Sequence, residues 1–126
     1  MGSNNAGRPK PKVLVVDDER VIADTLAIIL NQHGFDASAV YTGTAAVEQA
    51  RSVHPDLVIS DVIMPDMNGI EAAINIRRIL PSCKILLFSG QAATADLLES
   101  ARAEGHEFEI LAKPVHPQDL LAKLRG

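Results

Sequence analysis

The sequence predicts an α/β fold, a doubly wound (βα)5 arrangement whose five parallel strands run in the order 2-1-3-4-5 with helices on both faces. Three observations predict it. Short apolar runs recur along the chain and are continuous rather than alternating, as strands covered on both faces require. Between them the apolar period lengthens to that of a helix. The order is strand then helix throughout, and such alternation means parallel strands joined by crossover helices. A length of 126 residues suits one compact domain, and this strand order fits that length.

The first apolar run, Val-Leu-Val-Val at 13–16, follows Pro11 and stops at Asp17, Asp18 and Glu19. Ile22, Leu26, Ile29 and Leu30 then share one helical stripe, and Gly34 stands where a left-handed C-terminal cap is wanted. Residues 36–42 are less apolar and read as a weaker strand near a sheet edge. Ala46, Val47 and Ala50 mark a second helix, ended by Pro55, and a third strand follows at 57–59. Asn68 and Glu71 resemble a capping box opening a helix that presents Ile70, Ala73, Ile74, Ile76 and Leu80 and ends before Pro81. The fourth run is Ile-Leu-Leu-Phe at 85–88. Thr94 is a candidate cap for a helix carrying Leu97, Leu98 and Ala101, closed by Gly105. A last strand at 110–112 precedes a helix with Pro117 in its first turn and Leu120, Leu121 and Leu124 on its apolar face. Residues 1–11 are expected to form a flexible leader, in part vector-derived, and residues 12–126 the domain.

Composition narrows the function. With 47% hydrophobic residues a core can be buried. A net charge of −4 argues against nucleic-acid binding through this domain, because such surfaces are basic. The single cysteine, Cys83, excludes an internal disulfide and fits a reducing cytosol. No apolar run approaches the ~20 residues of a membrane helix, and the N-terminus carries no signal-peptide segment. A cytoplasmic protein with no membrane contact is expected.

Parallel strands end at one edge of their sheet, and ligands of open α/β folds bind just beyond it. Asp17 and Asp18 follow the first run, Asp61 the third, Ser89 and Gly90 the fourth, and Lys113 and Pro114 the fifth. Clustered carboxylates raise one another's pKa values unless a cation sits among them. Oxygen-only donors favour a hard ion, Mg²⁺ or Mn²⁺. A lysine at the rim suits phosphate as a point charge, and a serine hydroxyl can bond a phosphoryl oxygen. One aspartate can then act as nucleophile and become an acyl phosphate.

The motifs Leu-Val-Val-Asp-Asp-Glu (14–19), Asp-Val-Ile-Met-Pro-Asp-Met-Asn-Gly-Ile-Glu (61–71), Phe-Ser-Gly (88–90) and Lys-Pro (113–114) together resemble the receiver domain of two-component response regulators. The likeness runs from about residue 12 to 125, and the second motif is the specific one. It implies a flavodoxin-like fold and a phosphorylation switch with Asp61 as phosphoacceptor. By the same resemblance Asp18, Asp61 and the backbone carbonyl of Ile63 ligate Mg²⁺, and Asp17 acts largely through water. Lys113 pairs with the phosphoryl group, Ser89 swings toward it and draws residues 89–94 along, and the Lys113–Pro114 bond is cis. Gly69 lets the turn after Asp61 pass close to the site. The implied donor is a phosphohistidine on a sensor histidine kinase or phosphotransfer protein, or a small acyl phosphate. It docks on the first helix, where Ile22, Ala23 and Leu26 are candidate contacts, although Ile22 and Leu26 equally suit the core. The output face is the fourth helix, fifth strand and fifth helix. The protein is not an enzyme beyond catalysing its own phosphorylation and dephosphorylation. Because the chain stops at Gly126, soon after its last helix, no effector is expected to be attached.

The resemblance departs at Ile110, where most members carry an aromatic residue. Activation is therefore expected to use the Ser89 loop without a ring flip, with Phe108 two residues earlier on the same face. Two positions tune phosphoryl lifetime in the family, here Ile63 and Gln91. Ile63 cannot bond an attacking water whereas Gln91 can, so a moderately long-lived phospho-state is expected. His33, His54, His106 and His116 lack ligand spacing and read as surface residues, Met64 and Met67 as packing, Cys83 as an incidental turn residue, and 99–109 as a solvated helix end.

Other functions fit less well. An aspartyl-phosphate hydrolase or mutase often has a second acid two residues after its nucleophile, where Ile63 stands, and a cap domain absent here. An FMN binder needs a Ser/Thr/Gly-rich loop after its first strand, where three acids stand. A degenerate receiver, binding partners without phosphorylation, would not retain all five site residues.

Overall fold

The computed structural model describes residues 9–90 and 94–125. Five strands and five helices alternate: β1 (Lys12–Val16), α1 (Arg20–Gln32), β2 (Asp36–Val40), α2 (Gly43–Val53), β3 (Leu57–Asp61), α3 (Gly69–Ile79), β4 (Lys84–Ser89), α4 (Thr94–Ala103), β5 (Glu109–Ala112) and α5 (Pro117–Arg125). All neighbouring strands pair in parallel, in the order β2-β1-β3-β4-β5. The expected topology is met, with the less apolar β2 at one edge.

Each continuous apolar run is divided between two core layers, because successive strand side chains point to opposite faces. Val13 and Val15 join Ile59, Leu86 and Phe88 beneath α1 and α5, with Leu26, Leu30 and Leu120. Leu14 and Val16 join Val58, Ile85 and Leu87 beneath α2, α3 and α4, with Ala46, Ile76 and Ala101. All five residues of β3 are buried, so the central strand delivers its last residue, Asp61, to the sheet edge from a rigid base.

The helix ends are largely as expected. Gly34 has φ +92°, and the Phe35 amide beyond it donates to the Leu30 carbonyl at 3.1 Å. Gly105, also at φ +92°, closes α4 in the same way, with the His106 amide on the Ala101 carbonyl at 2.9 Å. Asn68 caps α3, its Oδ1 accepting from the Glu71 amide at 2.8 Å while its Nδ2 donates to Glu71 Oε1 at 2.9 Å. The cap expected of Thr94 lies outside the described residues, as does residue 91.

Three readings need correction. β2 ends at Val40, and Thr42 is not strand: its Oγ1 accepts from the Ala45 amide at 3.0 Å and caps α2. Cys83 is not an incidental turn residue but is buried against the α2–α4 layer, and that burial pushes its thiol up to about 11. The buried face of α1 is Ala23, Leu26, Ala27 and Leu30, so Ala23 is core rather than a partner contact, while Leu26 takes the core alternative given for it and still lines the cleft described below. The large apolar side chains that α1 turns outward are Val21 and Ile28, with Ile22 half-buried. Among the described residues no helix is long and apolar enough to cross a membrane.

Candidate functional site

Strand pairing brings the polar residues together. The Asp17 amide donates to the Val40 carbonyl at 3.2 Å, which holds the end of β1 against its neighbour. Asp61 pairs with Phe88, and Ser89 with Ala112, so the ends of β3, β4 and β5 lie at one level. The Lys113 amide extends that ladder, donating to the Ser89 carbonyl at 3.0 Å. The Lys113–Pro114 bond is cis, as expected.

After Asp61 the chain turns sharply into α3, and the Gly69 amide closes the turn on the Val62 carbonyl at 2.7 Å. A Cβ on Gly69 would stand 2.1 Å from the Asp61 carbonyl oxygen, so only glycine fits there. Gly90 is less confined: its Cβ would lie 3.1 Å from Lys113 Cβ, a tight contact that a shift of a few tenths of an ångström would relieve.

The result is an open cleft of about 780 Å³ whose polar lining includes Asp18, Asp61, Ser89 and Lys113. Asp17, Asp18 and Asp61 each offer a carboxylate oxygen, all within 4.8 Å of one another. Lys113 Nζ stands 3.1 Å from Asp61 Oδ2 and 3.9 Å from Asp17 Oδ2. Asp17 is fully buried; its Oδ1 accepts from the Glu19 amide at 2.9 Å, whereas its Oδ2 has no hydrogen-bond partner. Burial raises the Asp17 carboxyl above its ordinary value, and the charges of Asp61 and Asp18 add to that. The Glu19 amide and Lys113 oppose them. A buried oxygen without a partner, in an oxygen-only trio, fits a hard cation.

Asp17 predicts a pH effect in metal-free protein. A carboxyl whose pKa is raised on folding contributes stability below its unfolded value of 3.8, and that contribution is lost as pH rises through the raised value. Thermal melts in chelator from acid toward neutral pH are expected to show wild type losing stability relative to Asp17→Asn. Parallel curves would contradict it.

The response regulator receiver domain family matches residues 13–125. The chain belongs to that family. Receiver domains are phosphoacceptor switches of two-component signalling and partner with sensor histidine kinases; they are not enzymes in the ordinary sense. This receiver domain is 31% identical over 117 residues to the DNA-binding response regulator MtrA of Mycobacterium leprae, covering 93% of the chain and 51% of MtrA. It thus spans about half the length of such relatives. It is also 33% identical to the chemotaxis protein CheY of Thermotoga maritima, over 90% of this chain and 93% of that one. Among solved structures, a CheY-like receiver domain of Methanospirillum hungatei superposes with a TM-score of 0.83 at 26% identity, covering 93% and 92% of the two chains. CheY4 of Vibrio cholerae gives 0.81 at 28%, covering 93% and 98%.

In this receiver domain Asp17, Asp18, Asp61, Ser89 and Lys113 converge as the sequence suggested, and Ile63 and Pro114 line the same cleft. Ile110 faces the opposite core layer beside Phe108, away from the cleft. Gln91 lies outside the described residues.

Two features escaped the sequence. The Arg77 guanidinium lies 4.3 Å over the Phe108 ring and also donates to the Glu107 carbonyl at 3.1 Å. Asp66, three residues beyond Ile63, accepts from the Gly43 amide at 3.2 Å and from the Thr44 amide at 3.0 Å and hydroxyl at 2.7 Å. Its partners lie far back in the chain, so no local motif announces it.

Proposed function

We propose that Asp61 is the phosphoacceptor and that this domain takes its phosphoryl group from a phosphohistidine of a cytoplasmic sensor kinase or phosphotransfer protein. The observation that carries the reading is Lys113 Nζ at 3.1 Å from Asp61 Oδ2, beside a carboxylate trio within 4.8 Å. Asp18, Asp61 and the Ile63 carbonyl would hold Mg²⁺ (or Mn²⁺), with Asp17 acting through water. Bound there, the ion neutralises charge on the transferring phosphoryl oxygens.

An Asp61 carboxylate oxygen attacks phosphorus, the P–N bond to the donor imidazole breaks, and an acyl phosphate forms. The Lys113 ammonium pairs with the charge gained. Ser89 donates its hydroxyl to a phosphoryl oxygen, and the Ser89–Lys113 backbone bond couples that movement to β5. The altered surface is α4, β5 and α5. Phe108 is held by Arg77, which supports a switch without ring rotation. Attack of water on the acyl phosphate resets the domain, so it catalyses only its own phosphorylation and dephosphorylation. Donor contacts on α1 fall to Val21 and Ile22.

Intact mass after incubation with acetyl phosphate and Mg²⁺ tests the reading. One phosphoryl group is expected on wild type, and none on Asp61→Asn or without a divalent ion. An unmodified wild type under all conditions would exclude it.

A further inference from the structure

We propose that Asp66 is a positioning residue, one that clamps the loop following Asp61 onto the first turn of α2 and so sets the placement of the Ile63 carbonyl. The inference rests on the reading of Ile63 as a metal ligand given above.

The neck of this loop is fixed by other means: Asp61 by pairing with Phe88, and Val62 by the amide of Gly69. Asn68 is tied to α3 as its cap, and residues 63–67 before it need a separate anchor. Asp66 supplies it with both carboxylate oxygens, Oδ1 receiving the Gly43 amide and Oδ2 receiving the amide and hydroxyl of Thr44. These bonds are charge-assisted, and Thr44, the largest influence, holds the Asp66 carboxyl well below the usual carboxylate range. The clamp is reinforced by close approach. A Cβ on Gly43 would meet the Met67 carbonyl oxygen at 2.7 Å, so glycine at 43 lets the loop backbone lie directly on α2. On the other side Asn75 Nδ2 reaches Met67 Sδ at 4.0 Å.

Asp66 satisfies amides at the start of α2, and a helix cap alone would account for those two bonds. But Thr42 already caps that helix through the Ala45 amide. The Thr44 hydroxyl bond serves no helix end, and α2 contributes no residue to the cleft. What the three bonds jointly fix is the loop. Groups that orient ligands without touching the ion commonly set affinity by about ten- to a hundredfold.

Calorimetric titration with Mg²⁺, paired with thermal melts, tests the inference on wild type, Asp66→Ala, Asp66→Asn and Thr44→Val. The expected result is Mg²⁺ affinity weakened by about tenfold in Asp66→Ala, with smaller losses in Asp66→Asn and Thr44→Val and no further loss in the Asp66→Ala/Thr44→Val double variant. The milder pair carries the test if Asp66→Ala does not fold. Wild-type affinity in the variants with only a lowered melting temperature would make Asp66 a helix cap and overturn the proposal. A wild type that binds no Mg²⁺ would instead sink the metal reading, and this inference with it.

Discussion

Replacing Gly69 by alanine is expected to lower stability by about 3 kcal/mol, or roughly 10 °C in melting temperature for a domain of this size. The added methyl would stand 2.1 Å from the Asp61 carbonyl oxygen and 3.0 Å from Val62 Cα, both backbone atoms of the central strand and its turn. Neither can rotate aside as a side chain would. Relief requires moving α3 away from β3, which opens the layer formed by Ile70, Ala73 and Ile76, or displacing Asp61 itself. The same substitution should therefore lower phosphorylation of the fraction that remains folded. Circular dichroism melts check the first effect and intact mass the second. A melting temperature within a couple of degrees of wild type would mean that the turn has slack not visible in its geometry.

Lys113→Met should separate stability from chemistry. In metal-free protein Lys113 is the cation that faces both Asp17 and Asp61, whose side chains are 0% and 11% exposed. Without it the carboxylates are left uncompensated, at a cost of about 2 kcal/mol, less than for a fully buried pair because the lysine is itself 27% exposed. Saturating Mg²⁺ should restore the loss, since an ion bound among the carboxylates replaces the missing charge. Mg²⁺ affinity should rise, because no ammonium competes for the same oxygens. Phosphoryl transfer should nonetheless fall by about a hundredfold, the usual effect of removing one group aimed at developing charge. Melts with and without Mg²⁺, beside the rate of modification by acetyl phosphate, measure all three. Transfer at the wild-type rate would remove Lys113 from the mechanism.

The fold was readable because each run such as 13–16 supplies both core layers at once, a pattern that in a short, β-branched run between turn residues marks a strand covered on both sides. The site was readable because its residues follow those runs directly. What could not be read was rotation and long-range contact. The stripe of Ile22, Leu26, Ile29 and Leu30 suggested one inward face of α1, but two alanines, Ala23 and Ala27, are buried with Leu26 and Leu30 while Ile22 and Ile29 are only half-buried. Small residues carry little hydrophobic signal, so that rotation is invisible in periodicity. Thr42 falls in the weakly apolar segment 36–42 that reads as edge strand, and its role as a cap appears only when its hydroxyl meets the Ala45 amide. Asp66 and Arg77 act on partners twenty or more residues away, with nothing at local spacing to mark the pairing.

Asp61 lies in a cleft rather than an enclosed cavity, with Ile63 at its side 41% exposed. A side chain as large as a protein-borne imidazole can enter by that opening, and water can enter by it as well. On the function proposed above, the act of writing and the act of erasing share a doorway. Such a domain would be a timer as much as a relay, with the bulky apolar side chain at the threshold, residue 63, as a setting on its clock.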